Sequence, residues 1–302
     1  MNHPFWIAAL LVSMTPALAA PQQSAGQAAG FDVFGSSDAD HTGVLKLGLS
    51  FYFNYTDTEH YQGVRLETFR FSSRGTAETY EERGYFSFAG TGARWKWNGT
   101  VGLDGRTLLG SGSIYNEEAF RQEYFVSRDL VETAVGIRRH LYYTFAGGTY
   151  EVPLDDQNTI TAVLGVQKFD GDNSRIHLRA NYIYVVQPDW GLSLQLRNRY
   201  FWNSTPHEFD YFSPEWYFQA VPTIQLRRFS ARWQYLAALG WGIRRDKDSG
   251  WRSVWLADVS VTSPKFGRDW YLTTAFTYSN APGVSGYGYD YEQATLSLIK
   301  RF

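Results

Sequence analysis

The chain has 302 residues, 44% hydrophobic and 18% aromatic, with 11 Trp, 21 Tyr and 21 Phe, which excludes a disordered chain. Its 28 basic and 30 acidic residues leave a formal charge of -2, so no electrostatic footprint for nucleic acid is present. With mean hydropathy at -0.35, the apolar residues must be interleaved with polar ones rather than gathered in long runs.

Phe5 to Val12 make a short apolar run, followed by Ser13, Met14, Thr15 and Pro16 and then by Ala17-Leu18-Ala19, the small-x-small pattern of a signal peptidase site. Residues 1–19 therefore read as a secretory signal peptide, with only the amino terminus and His3 for positive charge. No stretch reaches the roughly 20 apolar residues of a membrane helix. If the protein occupies a membrane, it crosses as strands. The chain has no cysteine, which excludes a disulfide, a thiolate metal site and a lipid-modified Cys. Residues 20–42, rich in Ala, Gln, Gly and Ser, read as a flexible N-terminal segment. Asp38, Asp40 and His41 there are read as solvated linker, since no second His or Cys completes a metal site.

From Gly43 onward, alternating runs recur with short polar or glycine-containing breaks, and no stretch has a convincing helical period. Between Glu81 and Ala119 the runs Gly84 to Phe88, Ala93 to Leu103 and Thr107 to Tyr115 are short or irregular. Asp155 and Asp156, beside Pro153 and Asn158, read as a tight turn held by local hydrogen bonds rather than as an acid/base pair. In 173–187, Asn173, Arg175, His177, Arg179 and Asn181 alternate with Ile176, Leu178, Ala180, Tyr182 and Tyr184. Next, Leu192, Leu194, Leu196, Tyr200 and Trp202 oppose Ser193, Gln195, Arg197 and Arg199. Trp216, Phe218, Ala220, Pro222, Ile224 and Leu226 then alternate with Tyr217, Gln219, Thr223, Gln225 and Arg227. The pattern continues through Trp233 to Arg244 and Trp270 to Tyr278.

A soluble sandwich would also alternate, but three features favour lipid on the apolar side. The apolar faces begin or end in aromatics, the opposite faces are rich in Arg, Gln, Asn and Gly, and tight breaks such as Gln187-Pro188-Asp189 alternate with long ones such as Asn203 to Pro214. In hydrocarbon a sheet must close. About fifteen runs and the usual even count give a transmembrane antiparallel β-barrel of about 16 strands, with 14 as the alternative, in 43–302. The expected location is the bacterial outer membrane, among its lipid and lipopolysaccharide. Gln293, Thr295 and Ser297 alternate with Ala294, Leu296 and Leu298 up to a terminal Phe302, which resembles the signal read by the outer-membrane assembly machinery. Lys300 is expected to snorkel at the periplasmic interface.

Three short motifs stand in order on successive strands: Ser127-Arg128-Asp129-Leu130-Val131-Glu132; Asp172-Asn173-Ser174-Arg175 leading to His177-Leu178-Arg179; and Tyr211-Phe212-Ser213-Pro214-Glu215. Over residues 120–302 they resemble the C-terminal barrels of outer-membrane exopolysaccharide export porins, those for poly-N-acetylglucosamine and cellulose. The resemblance implies a pore for polysaccharide export or passage of carbohydrate. In that family the barrel follows a periplasmic tetratricopeptide array; none fits the segment before this barrel, so those helices are expected on a separate protein.

The residues themselves carry a second reading. With Gln187 near a periplasmic turn, Arg175 and Arg179 stand at the outer half of one strand, Arg197 and Arg199 at similar height on the next, and Arg244 and Arg245 at the end of another. They form either a basic wall attracting an anionic solute or an internal ion-pair network with Asp172, Glu215 and Asp258. Asp172, Asn173, His177 and Tyr217 complete the lumen candidates. Trp95, Trp97, Tyr143 and Phe145 are either a sugar slide or girdle residues. Tyr211 to Glu215 is either an inward constriction or a turn in which Pro214 begins a strand. His177, near Ser174 and Asp172 in sequence, reads as a lumen hydrogen-bonder. No catalytic residue, cofactor or metal is expected. A plugged structural or adhesin-like barrel is the alternative, and a membrane-embedded hydrolase a weaker one.

Overall fold

A strand sequence that is apolar on one face and polar on the other satisfies hydrocarbon only if its backbone is fully paired and its polar face is turned inward. The computed structural model describes residues 25–39, 41–265, 268–281 and 290–302. These form 16 antiparallel strands in a closed barrel, each paired with its sequence neighbours and the last with the first. In chain order they are β1 (Gly26–Asp38), β2 (Gly43–Asp57), β3 (His60–Ser72), β4 (Thr79–Thr91), β5 (Lys96–Leu103), β6 (Leu108–Tyr115), β7 (Arg121–Leu130) and β8 (Tyr142–Pro153). The second half contains β9 (Asn158–Phe169), β10 (Ser174–Gln187), β11 (Leu192–Asn203), β12 (Trp216–Ser230), β13 (Trp233–Asp246), β14 (Ser249–Thr262), β15 (Trp270–Ser279) and β16 (Tyr291–Arg301). One short helix, α1 (Ala134–Arg139), lies between β7 and β8.

Burial decides which solvent each face meets. Leu66 is 70% exposed and Leu239 64%, whereas Arg65, Glu67 and Arg83 are buried. Apolar outside and polar inside is the inverse of a soluble sandwich, so the exterior solvent is hydrocarbon. Aromatic pairs mark the two ends of the apolar band: Trp233 and Trp270 at one, with ring centroids 5.7 Å apart, and Trp241 stacked on Trp255 at 5.6 Å toward the other. Among the described residues no helix is long and apolar enough to cross a membrane.

The barrel begins earlier than residue 43. The segment 20–42, expected to be flexible, holds β1 from Gly26 to Asp38, which pairs with β16 from Ala28 opposite Arg301 to Asp38 opposite Tyr291. Its small residues conceal the strand: Ala28, Gly30, Asp32 and Phe34 face inward, with Ala29, Phe31 and Val33 outward. This strand supplies the even count required for closure. The signal-peptide segment 1–19 and Asp40 lie outside the described residues. Asp38 ends β1 and its carboxylate accepts a hydrogen bond from the Thr42 N–H at 2.9 Å. The irregular stretch after Glu81 resolves into β4 and the two eight-residue strands β5 and β6.

The longest connections gather at one end of the barrel. The long ones 131–141 and 204–215 lie at the end opposite the termini, while β2–β3 and β12–β13 are joined by two residues each at the terminal end. Short turns face the periplasm and long loops the exterior, so both termini are periplasmic. Asp155 holds its periplasmic turn by accepting from the N–H groups of Gln157 and Asn158, both at 2.8 Å.

Leu196 is 40% exposed at mid-strand on β11. Leu196→Arg is expected to lower the folding free energy in lipid vesicles by about 2–4 kcal/mol, read from a urea titration. Ser36→Arg, on the lumen wall, should change it by less than about 1 kcal/mol, because the lumen is wet.

Candidate functional site: a lidded lumen

The long loops turn back over the lumen because they carry apolar residues that water would otherwise meet. Tyr211 and Phe212 are 1% and 5% exposed. Tyr211 stacks on Phe169 of β9 at 4.2 Å, and Phe212 meets Phe201 and Tyr217 edge-on at 6.1 and 5.7 Å. The segment 211–215 is thus an inward constriction.

Three buried side chains, Asn173, Arg175 and Asn203, and the half-buried Glu208 fasten this loop. Asn173 Nδ2 donates to Asn203 Oδ1 at 3.2 Å and to the Tyr211 hydroxyl at 2.9 Å. Arg175 Nε donates to Asn203 Oδ1 at 2.8 Å, its terminal nitrogen donates to the Phe212 carbonyl, and its guanidinium lies over Phe201 at 4.5 Å. The Glu208 carboxylate accepts the backbone N–H groups of Asp172 and Asn173 at 2.5 and 3.1 Å. Asp172, Asn173 and Arg175 are therefore lid anchors; Asp172 itself sits exposed in the outer turn between β9 and β10.

The first motif, residues 127–132, leads into the other half of the lid. After Leu130 the chain turns through Thr133, which caps α1 by accepting from the Gly136 N–H at 3.0 Å. Asp210 accepts from the Thr133 hydroxyl at 2.5 Å and from the Val135 N–H at 2.7 Å, which ties α1 to the 204–215 loop. Ile137 joins Leu130 in an apolar cluster with Val44, Phe69 and Phe71 of the lumen wall. Both loops thus span the outer mouth and meet at Asp210. Among the described residues Thr133, Asn203, Glu208 and Asp210 are functional-site residues that the alternation could not mark, because they lie at strand ends and in loops.

Beneath the lid is a chamber of about 310 Å³. Its walls are charged differently. On one side Lys46 pairs with Glu132 at 2.5 Å and Asp129 at 3.7 Å, and Arg83 pairs with Asp129 and Glu81, both at 3.2 Å. Arg65 completes this set with Glu67 at 2.8 Å and Asp32 at 3.3 Å. On the other side Arg179 faces Arg199 in register, with His177 opposite Phe201 one layer above. His177 Nε2 is 2.9 Å from Gln167 Oε1, between the rings of Phe145 and Phe201. The Tyr217 hydroxyl donates to Gln219 Oε1 at 2.7 Å.

The remaining candidates divide. Arg197 pairs with Asp258 at 2.7 Å, as in the ion-pair reading, and Glu215 pairs with Lys247 at 3.8 Å. Arg245, expected to join Arg244 in the basic wall, faces outward over Trp216 and Trp251, because its strand position has the opposite parity. Arg244 faces the lumen and is buried. Tyr143 and Phe145 line the chamber, whereas Trp97 is 40% exposed on the outer face and Trp95 packs against Tyr124.

The periplasmic end carries a strap. Glu59 in the β2–β3 turn accepts from Lys96 at 2.9 Å and from Lys265 at 3.1 Å, while Lys96 also meets Glu117 at 2.6 Å. Burial pushes the Glu59 carboxyl up, but the hydrogen bonds and charges of Lys96 and Lys265 outweigh it and hold the group below the usual carboxylate range. Phe302 is 67% exposed at the same end, and Lys300 lies 3.9 Å from Asp269.

A closed sheet with an apolar exterior, a charged lumen and its long described loops at one end defines an outer-membrane β-barrel. No protein-family model matches the chain, and no curated protein matches it. The barrel is similar to the solved structure named "Bacterial polysaccharide outer membrane secretin", at TM-score 0.67 and 11% identity over 94% of this chain and 100% of that one. Pseudomonas aeruginosa OprD and Acinetobacter baumannii OccAB3 align at TM-scores of 0.38 and 0.42 and identities of 9% and 10%. They cover 94% and 92% of this chain and 97% and 98% of their own, and at those scores they add no weight. The first similarity establishes the fold along the chain. The protein is a barrel of the bacterial outer membrane.

A carboxylate with a depressed pKa stabilises the folded state above its unfolded value, and that contribution is lost as pH falls through the folded value. The strap should therefore hold at neutral pH and weaken only in acid, below the ordinary glutamate range. Glu59→Gln is expected to remove about 1 kcal/mol at pH 7 and little at pH 3, read by thermal unfolding at both pH values.

Proposed function

We propose that this barrel is a pore for carbohydrate, with the two-loop lid as its outer gate and a polysaccharide chain as its cargo. The observation that carries the reading is the convergence of the three motifs on one lid. Residues 127–132, 172–175 and 211–215, which resemble those of exopolysaccharide export porins, meet at the outer mouth through Asp210, Asn173 and Arg175. The fold similarity to a structure named for a polysaccharide secretin supports the same direction.

The chamber chemistry suits a sugar chain. Aromatic rings such as Phe125 and Tyr143 offer faces to pyranose rings, and Asn98, Ser111, Ser113 and Gln167 offer hydroxyl and amide partners. The polar link between the two loops is a pair of hydrogen bonds to the Asp210 carboxylate, beside the packing of Val131 with Tyr211 and of Arg139 over Phe209. Loss of the two hydrogen bonds costs about 2–4 kcal/mol, within reach of a conformational equilibrium. In this reading the barrel conducts without catalysis, is folded by the assembly machinery through its terminal Phe302, and receives its polymer from a separate periplasmic helical-repeat protein.

Burial of Tyr211 and Phe212 also favours a second reading, a plugged structural barrel. Single-channel recording in planar bilayers separates the two. Asp210→Ala is expected to raise open probability by on the order of tenfold or more, and a neutral oligosaccharide added to the bath should then block the current in discrete events. Closed wild-type and variant barrels, both correctly folded by heat-modifiable mobility, would sink the gate and leave the plug.

A further inference from the structure

One row of lumen side chains runs against the usual economy of a sheet. In register, Arg179 of β10 faces Arg199 of β11, Arg199 faces Gln219 of β12, Gln219 faces Arg244 of β13, and Arg244 faces Arg252 of β14. Four of these five neighbouring positions carry guanidinium groups. Like charges directly opposed on adjacent strands destabilise the pairing by about 0.2–1 kcal/mol each.

Several lumen carboxylates hold groups outside this row. Asp258 holds Arg197 at 2.7 Å, and Asp246 holds its own turn through the Asp248 N–H at 2.9 Å and the Ser249 hydroxyl at 2.6 Å. Asp129 and Glu132 are paired on the far wall. Among the described residues Arg199 forms no ion pair. Its guanidinium lies over the rings of Phe201 and Tyr217 at 5.2 and 5.6 Å, and its buried Nε has no hydrogen-bond partner. The row starts at the chamber wall, which Arg179 and Arg199 line. It reaches the outer rim at Arg252, which is exposed three residues into β14. Because barrel strands tilt by roughly 35–45°, a row along the hydrogen-bonding direction climbs the wall as a ramp.

We infer that this row is a binding track for the carboxylate groups of an acidic oligosaccharide or polysaccharide. Carboxylates match the planar forks of guanidinium groups in pairs of parallel hydrogen bonds. Adjacent strands lie about 4.8 Å apart, close to the length of one pyranose unit, so successive uronic acids would meet successive positions of the row, four of them arginines. That the ligand is a sugar rests on the function proposed above; its negative charge is read from the row itself.

The test uses the folded full-length barrel in detergent micelles, titrated calorimetrically with tetragalacturonate, cellotetraose and the tetramer of glucosamine. Tetragalacturonate is expected to bind at least tenfold more tightly than cellotetraose, with an affinity that falls as salt rises. Arg179→Gln/Arg199→Gln should abolish that preference while the barrel keeps its heat-modifiable mobility. Arg252→Gln, remote from the lid, should weaken acidic-tetramer binding by severalfold. Equal affinity for the acidic and neutral tetramers, preference for the glucosamine tetramer, or indifference to the double variant would overturn the track. A reversal-potential measurement on Asp210→Ala separates the charge claim from the sugar claim. If no tetramer binds but chloride selectivity falls in the double-arginine background, the anionic track stands and the polysaccharide reading fails. If selectivity is also unchanged, the track fails.

Discussion

Everything in this protein depends on the hydrogen-bonded seam between β1 and β16. A sheet surrounded by hydrocarbon tolerates no free edge, and these two strands would both be edges without their eleven paired positions from Ala28 to Asp38. Closure then sorts the side chains. Once the outer face is given to lipid, each strand's alternate residues are enclosed together, and the charged ones must find partners, water or ligand inside.

The two halves of the lumen meet that requirement differently. Around β2, β3, β4 and β7, Lys46, Arg65 and Arg83 are bound to Asp32, Glu67, Asp129 and Glu132 in one connected cluster, which neutralises that wall and braces it. Removing one member of such a buried set leaves a charge stranded and costs about 3–5 kcal/mol. From β10 to β14, Arg179, Arg199, Arg244 and Arg252 instead stand along one row, and Arg199 lies over the rings of Phe201 and Tyr217. A braced wall facing a basic one gives the chamber a direction, and the lid sits above both because its apolar side chains are covered there.

The lid also explains why loop segments carried the resemblance to export porins. Asn173 immediately precedes β10 and Arg175 lies at its start, while Tyr211 stands 38 residues beyond Asn173 in the loop after β11, yet all three share hydrogen bonds or stacking in one small volume. Short polar motifs at strand ends are costly to retain in a sheet unless they fasten something. Here they fasten the 204–215 loop, and Asp210 passes the constraint to α1.

Alternation such as Leu192, Leu194 and Leu196 against Ser193, Gln195 and Arg197 determined strand, face and closure, because a period of two on a lipid-bathed strand has one inside and one outside. It placed Arg179 and Arg199 in the lumen for the same reason. The strand from Gly26 to Asp38 escaped it, since small residues such as Ala28, Gly30 and Gly35 carry too little contrast between faces. Only the tertiary structure decided which charges are satisfied: Arg197 meets Asp258 three strands away, whereas Arg199, two residues on, meets rings. The sequence by itself set the parity of each side chain along its strand; the register between strands and the inward fold of the loops set its neighbours, and those are distances that a one-dimensional pattern does not contain.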